Sequence, residues 1–318
     1  MAQTADPPRE DRISSAAPIG RIAWCAYNDA TTHSRGELGA SFQQLDGVVG
    51  TDSTTGLLLR TCHRIEWYEA EPAMAATAPL SIRLSRRIIG HEAAASRLAQ
   101  IAAGTMSLIL GEQFVFQQVH AAFDRLSADH PLRPVGAEVL LLASQARRRF
   151  GLRARLDYRD LARTLLVAST AHPPNLVVVG GGMLAQAIAH ELGDDRRVFL
   201  LTRSPKKLRR LLRSGSARTT VLRIADLPEA VRESGFDLVL ATSGLTPQYR
   251  DHIARLVDAA ARRLVVDLCA TPVLHERSNY QHLHHPVVTD LIEDANRPAV
   301  EAARAASSWI ENHYGGRS

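Results

Sequence analysis

LVVVGGGMLAQAIAHEL, residues 176–192, is the stretch from which the organisation of the chain can be read outward. Four apolar residues suited to a buried strand run directly into Gly180, Gly181 and Gly182. Met183, Leu184 and Ala185 then open an amphipathic helix. The spacing Gly180-x-Gly182-x-x-Ala185 in a strand-turn-helix setting is the dinucleotide-binding fingerprint: glycines allow the tight turn and close approach of a pyrophosphate, and the helix start offers unpaired N–H groups. The next strand, VFLLT, ends about twenty residues on, where a carboxylate would hold the ribose 2'-hydroxyl of NAD. Here the residues are Thr202, Arg203, Ser204, Pro205, Lys206 and Lys207. A cationic, hydroxyl-bearing end suits a 2'-phosphate, so the expected cofactor is NADPH. Ser204 and Pro205 also suit a helix start.

Downstream, TTVLR, DLVLAT and RLVVDL alternate with helical stretches, which is βαβ logic with a parallel sheet. Thr242, Ser243 and Gly244, after the fourth strand, complete the expected cofactor residues. The apolar pair in HPVVTD reads as a last short strand before a helix from about Leu291 to Asn312. Upstream, from about Ile22 to Leu156, a strand IAWCAY, a helical stretch near Leu38, a strand GLLLRTC and long Ala- and Arg-rich helices predict an α+β half. The expected fold class is α/β. A disordered leader (1–20) precedes an α+β catalytic domain (21–156), a Rossmann-type NADP-binding domain (157–290) and a C-terminal helix and tail (291–318). AHPPN, residues 171–175, is the expected hinge.

Length and composition exclude several classes. At 318 residues, 45% hydrophobic and 22% charged, the chain suits about two folded domains rather than a fibre or a disordered polymer. Cys25, Cys62 and Cys269 are too scattered for a disulfide framework or a cysteine metal site, which fits a reducing, cytoplasmic setting. No signal peptide or membrane span is evident. The charge of +5 is compatible with a polyanionic partner without demanding one. Lysine occurs only at 206 and 207, which excludes a catalytic lysine elsewhere.

The chemistry is expected in LLLRTCHRIEWYEA. Arg60, His63 and Arg64 flank Cys62, and cationic neighbours favour the thiolate that a nucleophile requires. Free cysteine is also among the most buried residue types, so a core role stands beside the nucleophilic one.

Thr61-Cys62-His63-Arg64-Ile65-Glu66-Trp67 resembles the signature of the glutamyl-tRNA reductase family, Thr-Cys-Asn-Arg-x-Glu followed by an aromatic residue. AAGTMSLILGEQFVFQQV resembles a second family block, with Ser107, Gly111, Glu112 and Gln118 in their places. The glycine turn, TSGLTP, VVDLCATP and VVTDLIEDANR resemble later motifs in the family's order, so the resemblance runs from about Ile22 to Asn312. It implies a two-step reduction. The Cys62 thiolate attacks the ester joining an amino acid to its tRNA, and the resulting thioester is reduced to an aldehyde with NADPH, by default glutamate-1-semialdehyde for tetrapyrrole biosynthesis. It also implies that Arg64 grips the substrate amino acid, with Thr31, Thr61, Arg97, Ser107, Glu112 and Gln118 on the substrate side.

The chain departs from the family pattern in three ways. A family histidine falls on Arg97, which cannot exchange protons near neutral pH; His91 and His63 are the candidates to replace it, each also readable as a packing histidine. The family's asparagine is His63, and its Asn-His-Lys-Thr stretch is Asn28-Asp29-Ala30-Thr31, so the amino acid need not be glutamate. The family's long spine helix and dimerisation domain have no counterpart, so a monomer or a different dimer is expected. These departures suggest a specialised paralogue passing an amino aldehyde to a downstream enzyme. Alternatives are reduction of another aminoacyl-tRNA or an acyl thioester, and a catalytically weakened regulator that binds tRNA or NADP(H). A shikimate dehydrogenase, which the Rossmann half also resembles, would need a lysine that the N-terminal half lacks. His282, His284 and His285 in HLHHP lack acidic or cysteine partners at ligand spacing, so no metal is expected.

Overall fold

The computed structural model describes residues 20–29, 56–61, 63–71, 84–168, 175–193, 196–211, 218–242, 247–259, 264–269, 271–274 and 278–316. Four sequence expectations fall outside these residues: the leader before Gly20, the helical stretch near Leu38, the hinge before Asn175, and the site residues Thr31, Cys62, Ser243 and Gly244.

The N-terminal half builds an antiparallel sheet from β1 (Ile22–Asp29), β2 (Gly56–Arg60), β3 (Arg64–Ala70) and β4 (Arg86–Ile89), in the order β2-β3-β1-β4. Strand β3 is buried throughout. Its two faces serve different neighbours, because side chains alternate along a strand. Tyr68 joins the main core with Cys25 of β1, while Trp67 packs with Trp24 and Ala26 on the opposite face. Helices α1 (His91–Ala103), α2 (Phe114–Asp124) and α3 (Arg133–Arg149) cover the main-core face. The small residues of α1, including Ala94, Ala95, Ala99 and Ala102, let these layers approach closely.

Helix α4 (Tyr158–Ala168) belongs to the other core. Asp157 Oδ1 accepts from the backbone N–H of Arg159 and Asp160 at 2.7 and 3.0 Å, capping α4. That cap fixes Tyr158 as the first helical residue.

The second half is a six-stranded parallel sheet: β5 (Asn175–Val179), β6 (Arg197–Leu201), β7 (Thr219–Leu222), β8 (Asp237–Leu240), β9 (Val265–Asp267) and β10 (Tyr280–His282). Its order, β7-β6-β5-β8-β9-β10, is 3-2-1-4-5-6 when strands are counted from β5, the doubly wound dinucleotide-binding topology. Helices α5 (Met183–Glu191), α6 (Pro205–Leu211), α7 (Glu229–Ser234) and α8 (Pro247–Ala259) connect the strands. The fold is thus mixed α/β with a Rossmann-type sheet.

The C-terminal segment departs from expectation. The last strand is Tyr280–His282, and PVVTD opens helix α9 (Pro286–Asn296) because Pro286 occupies its first turn. The single long helix expected from Leu291 is two helices: a 3-10 turn at Arg297–Ala299, containing Pro298, separates α9 from α10 (Val300–Gly315). Helix α10 then returns to the N-terminal half, where Ala303, Ala306, Ile310 and Tyr314 enter its core.

Candidate active site

The turn between β2 and β3 brings the proposed chemistry to the boundary of the two halves. Thr61 N–H donates to Arg64 O at 3.0 Å, closing the end of the β2–β3 hairpin. Thr61, His63 and Arg64 line one small cavity with Ser107, Glu112 and Gln118 from the second motif, and with Phe114, Val115, Tyr158 and Leu184. Five of the residues expected on the substrate side and the catalytic candidate His63 therefore meet in one place, and Leu184 carries the glycine-turn helix to it. Cys62 stands between Thr61 and His63 in sequence.

His63 is half-buried in surface terms, and its environment favours the neutral imidazole. Burial, the Arg64 charge and His284 together depress its pKa to about 3. Its Nε2 lies 2.9 Å from the Tyr158 hydroxyl, and the two rings stack 5.7 Å apart. Sequence reasoning missed Tyr158; the Asp157-x-x-Asp160 capping pattern is the signal that locates it. His284, read as part of an isolated histidine run, is electrostatically coupled to His63.

Glu112 is the cavity's titratable acid near neutrality. Burial raises its pKa to about 7, against the lowering influence of the N–H groups of Phe114 and Val115, which its carboxylate accepts at 2.7 and 2.9 Å. The same two bonds satisfy the start of α2.

Arg64 and Arg97 share a buried acidic partner. Arg97 Nε and Nη2 donate to Glu66 at 3.0 and 2.8 Å, and Nη2 also meets Asp29 Oδ2 at 2.7 Å. Its guanidinium lies 3.5 Å from the Tyr27 ring centroid. Burial works to lower the Arg97 pKa, and the Glu66 charge more than offsets it, so the residue is held cationic. Arg64 Nη1 lies 3.5 Å from the same Glu66, while Nη2 donates to Met106 O. Tyr68 completes the network with a 2.6 Å bond to Glu66. Arg97 therefore sits behind Arg64 and is not among the cavity-lining residues. His91 also stands apart: its Nδ1 accepts from Ile22 N–H at 3.0 Å and its ring packs edge-on against Tyr314. Asn28 accepts from Ser85, and Asp29 from Arg97, so two polar residues of the substituted Asn28–Thr31 stretch are engaged within the fold.

The glycine turn has the shape for a dinucleotide. Gly180 has φ +149°, and a Cβ there would lie 2.2 Å from Ala241 O. A Cβ on Gly181 would lie 2.7 Å from Thr202 Oγ1, whereas Gly182, at the start of α5, faces open space. Arg203, Ser204, Lys206 and Lys207 are exposed at the end of β6, Thr202 is buried beneath them, and Thr242 follows β8. The close-packed glycines, open helix start and absence of a carboxylate from this run suit a phosphorylated dinucleotide.

Cys25 and Cys269 are buried, and burial pushes the Cys25 thiol up to about 12, so it is unreactive. Among the described residues, no group of three or more His, Cys, Asp or Glu side chains is arranged to hold a metal ion, and no helix is long and apolar enough to cross a membrane.

The family model for the glutamyl-tRNA(Glu) reductase N-terminal domain matches residues 25–149. Protein nfe2 of Rhizobium meliloti is 29% identical over 226 residues, covering 69% of this chain and 72% of that protein. The glutamyl-tRNA reductase of Pyrobaculum islandicum is 24% identical over 265 residues, 79% of this chain and 66% of that enzyme. The solved structure of glutamyl-tRNA reductase from Methanopyrus kandleri aligns over 92% of this chain and 77% of its own, with TM-score 0.42 and 20% identity.

Proposed function

Because this chain is a divergent member of the glutamyl-tRNA reductase family, we propose that it reduces an aminoacyl-tRNA to an amino aldehyde through a thioester on Cys62. The observation that carries this reading is the cavity in which Thr61 and His63, the neighbours of Cys62, meet Leu184 of the glycine-turn helix. Cys62 Sγ attacks the ester carbon, forming a C–S bond as the tRNA 3'-oxygen departs. Glu112, titrating near neutrality, is the lining group suited to provide the proton that oxygen takes. NADPH, when bound, would be held by Gly180–Ala185, by Thr202–Lys207 at its 2'-phosphate and by Thr242, Ser243 and Gly244, and would supply the hydride that adds to the thioester carbonyl carbon. The C–S bond breaks as the aldehyde forms, and the Cys62 thiolate is regenerated. Splitting acyl transfer from reduction divides one difficult step into two.

Glutamate is the default amino acid. Arg64 suits a carboxylate, yet part of its guanidinium is already engaged by Met106 O and Glu66, which favours testing other amino acids equally. The setting we infer is cytoplasmic, with the aldehyde passed to a consuming enzyme. The test is a single-turnover reaction with NADPH and tRNA charged in turn with each radiolabelled amino acid, trapping aldehyde and comparing the wild type with Cys62→Ser. Aldehyde lost in the variant supports the reading and names the amino acid. Charged tRNA bound but never consumed by either protein refutes it and leaves a regulator that binds tRNA.

A further inference from the structure

Beside the cavity lies a larger groove of about 720 Å³, within the rough range of built ligand sites, 300–1,000 Å³. Its charged lining is Arg147, Arg148, Arg153, Arg159, Asp157 and Asp160. Both aspartates are already balanced, Asp157 by Arg159 and Asp160 by Arg163 at 2.7 Å. The other three arginines contact no carboxylate among the described residues. Arg147 donates to the carbonyls of Ala103, Glu112 and Gly111 at 2.8–3.0 Å, which fixes its position, and its charge also acts on the Glu112 carboxyl without forming an ion pair. Arg148 bonds Ser144 Oγ at 3.0 Å, and Arg153 is exposed close enough to Arg147 for their like charges to interact. Next to them, Arg149 stands 5.9 and 5.7 Å from the rings of Phe150 and Trp309.

The groove and the cavity share a wall. Gly111 and Gln113 line the groove while Glu112, between them, lines the cavity; Asp157 lines the groove and Tyr158 the cavity. We propose that this arginine groove seats the phosphate backbone of the tRNA acceptor end, leaving the terminal ester to enter the neighbouring cavity. This deepens the aminoacyl-tRNA reading and rests on it. Guanidinium groups outside any ion pair bind phosphates whatever the sequence, so they position rather than select. A membrane surface fits less well: the groove is concave, and none of the large exposed apolar residues Ile89, Leu141, Val167, Val287 and Val300 is in its lining.

The experiment is fluorescence anisotropy of uncharged tRNA across a salt series without NADPH, so that catalysis plays no part. The Arg148→Gln/Arg153→Gln variant is compared with the wild type and with Arg218→Gln/Arg255→Gln, which removes equal charge elsewhere. Seating in the groove predicts roughly tenfold weaker binding at low salt and a log–log salt slope shallower by about 1–2 than in both comparisons, with unchanged thermal melting. Equal binding by the two double variants overturns the groove, while the aldehyde assay still decides the reductase reading. Arginine-dependent tRNA binding by a protein that never consumes charged tRNA supports the groove and refutes the reductase. Loss of sedimentation with phosphatidylglycerol vesicles, with tRNA binding intact, makes the surface a membrane contact and overturns the proposal.

Discussion

Replacing Arg97 with methionine keeps much of the side-chain volume beside Tyr27 but leaves two carboxylates, Glu66 and Asp29, without the guanidinium that bonds both. Arg97 is 8% exposed and Glu66 fully buried, so water cannot replace the lost partner. Removing one side of such a buried pair costs about 3–5 kcal/mol, a large part of the roughly 5–15 kcal/mol that holds a domain folded. The melting point should fall by roughly 10 °C. Urea unfolding followed by tryptophan fluorescence is the suitable assay. Of the chain's three tryptophans, Trp24 and Trp67 lie in the N-terminal sheet and Trp309 packs on the same half's core, so the signal reports that half. Adding Glu66→Gln to Arg97→Met removes one of the stranded charges, and the double variant should lose less than the sum of the singles by about 1–3 kcal/mol. A loss below about 1 kcal/mol for Arg97→Met, or strict additivity, would refute the reasoning and return Arg97 to consideration as a substrate group.

Three other outcomes follow from the site. Glu112, with its pKa raised from 4.5 to about 7, keeps its proton in the folded state where the unfolded chain has lost it, so its contribution to stability declines as pH rises between those values. Glu112→Gln should flatten that decline in urea midpoints measured from pH 4 to 8; parallel curves for the two proteins would contradict the assignment. Tyr158→Phe should cost about 1 kcal/mol for the lost bond to His63 Nε2 and shift the ring's 15N resonances. The imidazole should nevertheless stay neutral at pH 6, since burial leads its depression, and a midpoint near 6.5 would show that the pocket is wet. Gly180→Ala should destabilise the fold by on the order of 2–4 kcal/mol and abolish NADPH fluorescence enhancement, because its Cβ meets backbone; Gly182→Ala, facing open space, should keep its melting point. Equal effects at the two glycines would contradict the packing described.

The glycine turn and the parallel sheet were legible because each βα unit writes its period locally: an apolar run, a glycine or proline, then an amphipathic stretch. The C-terminal break at Pro298 was equally local, but the apolar pair Val287–Val288 masked the helix that Pro286 begins. The site was legible where residues share a motif, as Thr61, His63 and Arg64 do, and also Glu112 and Gln118. It was opaque where partners come from distant strands and helices. Arg97 appeared as a missing histidine, yet its environment is made by Asp29 and Glu66, 68 and 31 residues away. Tyr158 reaches His63 across 95 residues of chain. No periodicity encodes such a meeting; it exists once two halves have packed.

The return of α10 to the core beside α1 means that the backbone passes between the halves twice, once ahead of α4 and again after α9. Asn296, at the second passage, accepts from Leu110 N–H and donates to Leu108 O, both at 2.8 Å, pinning it to the wall above Glu112. Moving the halves apart at this passage would break both Asn296 bonds, so side-chain bonding as well as chain connectivity holds the wall of the cavity to the Rossmann half.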